Sequence, residues 1–336
     1  MENAGFTHQN MEKRSWVTLA LVFASFLLLF AILGYAGGYG KVVDGLVDTT
    51  YRSTLLADMR ADYKRDEGEW SFGYFVPLAV GALFWIRRRE LLQTEVKPAL
   101  VEGGLVIVGA LFIYWAGYRG HQKYFGYISG QFLVAGMVLW FLGWAWFKKV
   151  FWLWLLLGMM WPWRFLIGRI SSPLQAIMVK MTSGFMEVIG VDAVSNGSQL
   201  LTATPDPKTG DPISLDVDVA CSGMRSLFAL VMIGLVFAFL RVKDEWKRWV
   251  VMACVPVIAI IGNFVRMMML YWGSTAFGTE FAIGEGHANI SGYHIAAGLM
   301  VFVVALIILS FVTGLLEGGF KKLRRPKAVS RQVGEE

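Results

Sequence analysis

Long apolar runs constrain this chain more than any other feature. Of its 336 residues, 56% are hydrophobic, and the mean hydropathy is +0.53, which is too apolar for a soluble domain. About 20 apolar residues in a helix cross the hydrocarbon core of a bilayer. The chain therefore predicts an all-α polytopic membrane protein, a bundle of about eight transmembrane helices. The runs cover residues 16–36, 73–86, 98–117, 126–147, 150–168, 223–240, 249–277 and 295–316.

Basic clusters between the runs predict the orientation. Lys13 and Arg14 precede the first run, which is too long for a signal-peptide core, so a retained helix with a cytoplasmic N-terminus is expected. The segments that follow the second, fourth, sixth and eighth runs are then expected in the cytoplasm. Each of them contains a basic cluster, at residues 87–89, 148–149, 241–248 and 321–325 respectively. Both termini of this inner-membrane protein are expected in the cytoplasm. The second run is short, and Pro162 and Arg164 interrupt the fifth.

The distribution of charge argues against a nucleic-acid-binding protein, and the two cysteines argue against a disulfide framework. The net charge of +6 lies in short clusters rather than on one basic face, so the expected partner is membrane lipid and not nucleic acid. The topology places Cys221 and Cys254 in opposite halves of the membrane, so no disulfide is expected. Cys254, beside Pro256, is interpreted as a packing residue. No cofactor or metal is expected.

The chain is interpreted as one integral membrane domain. Its predicted parts are a cytoplasmic N-terminus (1–15), N-terminal spans (16–168), an extracytoplasmic loop (169–222), further spans (223–316) and a cytoplasmic tail (317–336). The first outer loop, 37–72, is polar and charged. Within the second, Ser172 and Pro173 predict the start of a small helix. Two short strands, 199–204 and 213–219, predict a hairpin that leads to Cys221.

Cys221 lies where a polar segment gives way to the apolar run 224–240. A thiol at a helix start experiences the positive end of the helix dipole, and Arg225 lies one turn further on. Both features favour a reactive thiolate. The alternative is that Cys221 is a small, inert apolar residue.

Arg266 lies within the seventh run, about 26 Å along a helix that begins near Trp249. It is therefore expected near the outer edge of the hydrocarbon layer, level with Cys221. A cation there needs a partner or a water-filled cavity. Asn263, one turn below, is a candidate to orient it. The alternative is an arginine that extends outward to the lipid headgroups.

His294 opens the eighth run. The dipole at a helix start disfavours an imidazolium, so a neutral ring that accepts a proton is expected. The alternative is a polar cap without a chemical role. His287 competes for the same role from a glycine-flanked loop.

A thiol, a guanidinium and an imidazole from three consecutive spans are together sufficient for acyl transfer through a thioester. Cys221 would be the nucleophile, His294 the general acid and base, and Arg266 the stabiliser of the oxyanion. Asp216 and Asp218 either orient the histidine or bind a positive part of the substrate, or are simply solvated.

The chain resembles the exosortase/archaeosortase family. The residues that carry the resemblance are 219–227 (Val-Ala-Cys-Ser-Gly-Met-Arg-Ser-Leu), Pro256 with 263–266 (Asn-Phe-Val-Arg), and 294–298 (His-Ile-Ala-Ala-Gly). Residues 70–78 and 87–91 resemble the family's entry into its second span. One departure is Ser71-Phe72-Gly73, where relatives commonly have Ser-His-Gly.

The resemblance implies a membrane cysteine transpeptidase, with the family's Cys, Arg and His at Cys221, Arg266 and His294. Its partners would be exported proteins with a C-terminal tripartite signal: a short motif such as Pro-Glu-Pro, a transmembrane helix and a basic tail. In bacteria such enzymes accompany exopolysaccharide production. The alternatives are a transporter or polysaccharide-export component, a protease that only hydrolyses, or an acyltransferase using thioester chemistry.

Overall fold

The computed structural model describes residues 17, 20, 24, 25, 27, 39–43, 46–64, 70–197, 199–216, 224–284 and 291–317. The chain forms two compact units, residues 1–170 and 171–336. Each unit is mostly helical and carries a small antiparallel sheet.

From residue 39 onward, the described part of the first unit contains a paired hairpin followed by helices. Its elements are β1 (Tyr39–Val43), β2 (Leu46–Ser53), α1 (Leu55–Lys64), a 3₁₀ turn (Ser71–Tyr74), α2 (Val76–Leu92), α3 (Leu100–Arg119), α4 (Lys123–Leu142) and α5 (Trp144–Gly158). The polar loop predicted for 37–72 thus contains β1, β2 and α1.

Helices α3 and α4 pack closely because glycines face their partners. A Cβ on Gly103 would lie 2.5 Å from the backbone nitrogen of Trp140. Gly143, with φ of 84°, ends α4. The predicted run 126–147 is therefore two helices, since the left-handed backbone at Gly143 interrupts it.

The predicted break in the fifth run is confirmed. Helix α5 ends at Gly158, and the next helix begins at Arg164, beyond Pro162. The intervening Trp161 is fully buried and donates its indole N–H to Gln131 Oε1 over 2.8 Å. On α1, the buried carboxylate of Asp62 pairs with Lys123 at 2.7 Å.

Helix α6 (Arg164–Val188) crosses the boundary between the units. Pro173 lies inside this helix, so the prediction that Ser172 and Pro173 begin it is wrong. Proline adopts a helical φ and removes one internal hydrogen bond, which a helix of 25 residues tolerates.

The second unit continues with β3 (Ala193–Asn196), β4 (Gln199–Pro205), β5 (Pro212–Asp216), α7 (Met224–Arg241), α8 (Glu245–Phe277), α9 (Thr279–Ala282) and α10 (Gly292–Leu316). The predicted hairpin is confirmed as β4 and β5, which pair antiparallel. Strand β3 pairs with the other edge of β4 and completes a three-stranded sheet.

Helix α8 organises the second unit through two apolar clusters. Its N-terminal half packs against α7 and α10, through residues such as Val255, Ala259 and Val301. Its C-terminal half packs against α6, the sheet and α10, through residues such as Met268, Leu200 and Ala297. Arg266 lies on α8 next to this second cluster.

Four of the described helices are long and apolar enough to cross a membrane: α3, α4, α8 and α10. Helix α7 contributes a shorter apolar segment, Leu227–Arg241. The first predicted run falls mostly outside the described residues. A helical membrane protein is therefore supported, and the count of eight spans stays a prediction.

Candidate functional site

Arg266 on α8 and His294 on α10 meet side by side. Arg266 Nη2 lies 2.6 Å from His294 Nε2, and both residues are half-buried. The two helices also pack through Gly262, where a Cβ would approach Val301 Cγ1 to 2.8 Å. The structure thus brings into direct contact two side chains that the sequence predicts to share one site.

This contact defines the protonation of the imidazole. A guanidinium has five N–H donors and no acceptor, so His294 Nε2 accepts the hydrogen bond. The ring proton then resides on Nδ1, and the ring is neutral. His294 therefore has its proton-accepting nitrogen turned toward Arg266.

Ser291 fixes the start of α10. Its Oγ accepts the backbone N–H of His294 over 3.0 Å, which is the N-cap bond of the helix. The Ser291 hydroxyl in turn donates to Ala282 O, and its N–H donates to Ile283 O. The first turn of α10, with His294 in it, is thereby attached to α9.

Tyr293 sets the position of α10 along α8. Its hydroxyl donates to Met269 O over 2.9 Å, one turn beyond Arg266. The ring lies against Gly273, where a Cβ would come within 2.5 Å of it. A hydrogen bond and a close packing contact therefore both fix the register that brings His294 to Arg266.

Asn263 is buried, with 2% of its surface exposed. Neither its Oδ1 nor the Nε of Arg266 has a hydrogen-bond partner within the described part of the chain. The expected orientation of Arg266 by Asn263 is therefore not a direct hydrogen bond. Asn263 Oδ1 is thus a buried acceptor and Arg266 Nε a buried donor, one helical turn apart beside the site.

The other predicted site residues are only partly described. Cys221, Asp218 and His287 lie outside the described residues. The backbone of Asp216 ends β5 and that of Arg225 lies in the first turn of α7, and their side chains are not described. Cys254 is outside this group: it packs against the cluster of α7, α8 and α10, as expected of a packing residue.

Three residues were missed from sequence: Asp206, which bonds the start of α9, and Ser291 and Tyr293, which position α10. The first two have recognisable signals, since aspartate before a Pro-Lys-Thr-Gly turn and serine before a helix both bind backbone N–H groups. The contact of Tyr293 is tertiary and has no local signal. Among the described residues, no three of His, Cys, Asp and Glu are grouped as metal ligands would be.

Fold and site together define a helical membrane protein with a guanidinium–imidazole pair between two of its apolar helices. The sequence profile of the transmembrane exosortase family matches residues 64–311, which is well over half of the chain. The chain belongs to this family. The match includes Cys221, Arg266 and His294. Comparisons with curated proteins and with solved structures gave no match.

Proposed function

We propose that this chain is a membrane-embedded cysteine protease and transpeptidase. It cleaves the C-terminal sorting signals of exported proteins through a thioester at Cys221. The observation that supports this most is the 2.6 Å contact between Arg266 and His294, on two helices able to cross a membrane. Ionisable groups inside such helices are costly and mark functional sites.

Chain connectivity supports Cys221 as the third member of the site. Strand β5 packs against α8 through Ile213 and Leu215, in the same cluster as Met267 and Met268. Cys221 follows Asp216, the end of β5, by five positions, which span at most about 18 Å. The thiol is therefore tethered to the part of α8 that carries Arg266.

In the first half of the reaction, Cys221 attacks the scissile carbonyl. The thiol proton passes to His294 Nε2, which requires the Arg266 guanidinium to turn away from that nitrogen. The turning guanidinium meets the negative charge that develops on the carbonyl oxygen, where a cationic donor is most stabilising. His294 then protonates the departing amine as the carbon–nitrogen bond breaks and the thioester forms.

In the second half, an acceptor nucleophile attacks the thioester. His294 takes the proton of this nucleophile and returns it to the departing Cys221 sulfur. An amine acceptor gives transpeptidation, and water gives hydrolysis. The substrates are exported proteins with a short motif, a transmembrane helix and a basic tail, held in the same lipid bilayer.

The whole chain acts as one integral membrane enzyme of the inner membrane. Both termini are cytoplasmic, and the active site lies on the extracytoplasmic face, where the motif of a substrate helix emerges. The basic clusters that follow alternate apolar runs of the sequence support this orientation.

The test is co-expression with a substrate that carries such a tripartite signal. Native enzyme is expected to convert the substrate to a shorter form, Cys221→Ala to leave it uncut, and the matched control Cys254→Ala to cut it normally. Processing by Cys221→Ala at the native rate would contradict the proposal. It would favour the alternative of a transporter or export component, in which the cysteine is dispensable.

A further inference from the structure

Asp206 directly follows β4, and its carboxylate accepts three backbone N–H groups. Only 5% of its surface is exposed. Oδ1 accepts the N–H groups of Lys208 at 2.7 Å and Thr209 at 3.3 Å, which closes the turn of the hairpin. Oδ2 accepts the N–H of Thr279 at 2.6 Å, and this bond leaves the hairpin altogether.

The Thr279 bond joins the hairpin tip to the chain just after α8. Gly278, with φ of 94°, makes this approach possible, because a Cβ there would lie 3.0 Å from Lys208 Cδ and 3.4 Å from Asp206 Oδ1. The bonds with Thr279 and Lys208 hold the pKa of Asp206 well below its usual range. The carboxylate is therefore ionised at neutral pH, and its bonds are charge-assisted.

A second polar contact lies nearer the base of the same hairpin. Thr204 Oγ1 and Tyr271 OH, on β4 and α8, are 3.0 Å apart. Below it, Leu200, Ile213 and Leu215 are buried in the cluster that α8 shares with the sheet. Apolar contacts thus hold the base of the hairpin to α8. At the tip, Asp206 and an exposed ion pair between Lys208 Nζ and Glu280 Oε2, 3.5 Å apart, join the hairpin to α9.

The Asp206 bond lies between the segments that lead to the thiol and to the imidazole. On one side, β5 leads from the hairpin toward Cys221. On the other, Thr279 begins α9, which accepts the bonds of Ser291, and Ser291 caps the turn that carries His294. An unbroken series of hydrogen bonds therefore runs from Asp206 to His294.

We propose that Asp206 is a positioning residue that sets the distance between the Cys221 thiol and the His294 imidazole. It does so by holding the hairpin against Thr279. This inference rests on the proposed function. Asp206 touches no reacting atom in this role, and acts through the two segments that it joins.

The experiment measures thiol reactivity, which a merely structural role would not change. In a Cys254→Ala background, the rate of Cys221 alkylation by iodoacetamide is followed against pH, with substrate processing measured in parallel. In the native hairpin the thiol is expected to titrate below about 8.5, the ordinary cysteine value, because the proposed site sets it beside the Arg266 guanidinium. Asp206→Asn is expected to return the titration toward that value and to slow processing about tenfold.

Two further variants control the result. Asp211→Asn removes an exposed carboxylate from the same hairpin and is expected to behave as native enzyme. Thr279→Pro removes both Thr279 donors to Asp206, the backbone N–H and the side-chain hydroxyl, and leaves the carboxylate in place. Residue 279 is a first helical position that accepts proline, and it follows a glycine whose ψ of 154° suits a following proline. It is expected to reproduce Asp206→Asn, and the double variant to be no worse than either single one.

The proposal is overturned if Asp206→Asn and Thr279→Pro both leave the titration and the processing rate unchanged. If Asp206→Asn does not fold, Thr279→Pro alone decides. Failure of the proposed function is a different result: Cys221→Ala would then process substrate. The alkylation profile needs no substrate, so it reports on Asp206 even in that case.

Discussion

Two helix pairs of this protein, α3–α4 in the first unit and α8–α10 in the second, pack alike but differ in chemistry. Both use glycine to bring helices together, since a Cβ on Gly103 would lie 2.5 Å from Trp140 and one on Gly262 would lie 2.8 Å from Val301. Small residues at such interfaces are enough for close packing between membrane helices. Neither pair therefore needs charge in order to form.

The polar contacts of the two helix pairs differ in charge. In α3–α4, Ser129 donates its hydroxyl to Ala110 O at 2.7 Å, a neutral bond of modest value. In α8–α10, a guanidinium lies against an imidazole, at Arg266 and His294. A charge at a helix interface that can pack without it is costly, and Arg266 and His294 are therefore the residues that we propose for the chemistry. Variants in the two pairs should accordingly affect different measurements.

The largest expected effect comes from His294, the proposed proton-transfer residue. His294→Gln is expected to lower processing by about 10²- to 10⁴-fold, the usual contribution of a general acid and base. His287→Gln, in the neighbouring loop, is expected to remain active. Substrate conversion in membranes containing equal amounts of each variant makes the comparison. An inactive His287→Gln with an active His294→Gln would reverse the assignment of the base.

The cation should matter nearly as much. Arg266→Gln is expected to reduce processing by about 10²- to 10³-fold, because the oxyanion loses its charged donor. Arg119→Gln, at the exposed end of α3, is the matched control and should process at the native rate. Processing rates normalised to inserted protein are the measurement. Equal rates for both variants would remove Arg266 from the mechanism.

Glycine substitutions should separate stability from activity. Gly103→Ala and Gly273→Ala each place a Cβ about 2.5 Å from a neighbour, the Trp140 backbone and the Tyr293 ring respectively. Each is expected to cost about 1–3 kcal/mol through overpacking. Only Gly273→Ala should also lower processing per folded molecule, since Tyr293 precedes His294. Thermal unfolding in detergent and processing rates would show this, and a matching activity loss in Gly103→Ala would contradict it.

Two hydroxyl deletions repeat the comparison on a smaller scale. Tyr293→Phe and Ser129→Ala each remove one hydroxyl-to-carbonyl bond, worth about 0.5–1.5 kcal/mol net. The unfolding midpoints should fall by similar amounts. Processing should fall several-fold for Tyr293→Phe and stay unchanged for Ser129→Ala. An equal effect on processing would mean that the Tyr293 bond does not position His294.

The smallest effect concerns pH. The pKa of Asp206 is lowered in the folded protein, so its contribution to stability is present above the unfolded value of about 3.9 and is lost as pH falls through the native value. The difference in unfolding midpoint between native protein and Asp206→Asn should stay constant from about pH 8 to about pH 5. A difference that changes within this interval would assign the effect to another group.

Much of this architecture follows from local sequence signals. Apolar runs predict α3, α4, α8 and α10, and a Pro-Lys-Thr-Gly turn predicts the β4–β5 hairpin, with φ of 76° at Gly210. The β1–β2 hairpin was missed, although Asp44-Gly45 between two β-rich segments is a strong hairpin signal. Charged residues within these segments interrupt the alternation of apolar and polar side chains by which a strand is recognised.

The site follows from sequence only in part. An arginine inside an apolar run and a histidine at the start of another predict a functional pair, because charge there needs a partner. The sequence does not specify which nitrogen of His294 meets Arg266, because this depends on the register of α8 and α10. That register is set by the tertiary contacts of Tyr293 with Met269 and Gly273.

The central claim is that Cys221 forms a thioester beside the Arg266–His294 pair. The most direct measurement is mass spectrometry of the enzyme isolated during turnover of a substrate with a tripartite signal. The expected result is an adduct on the peptide that contains Cys221, with the mass of the cleaved substrate and released by hydroxylamine. An adduct on another residue, or substrate turnover by Cys221→Ala, would contradict the claim.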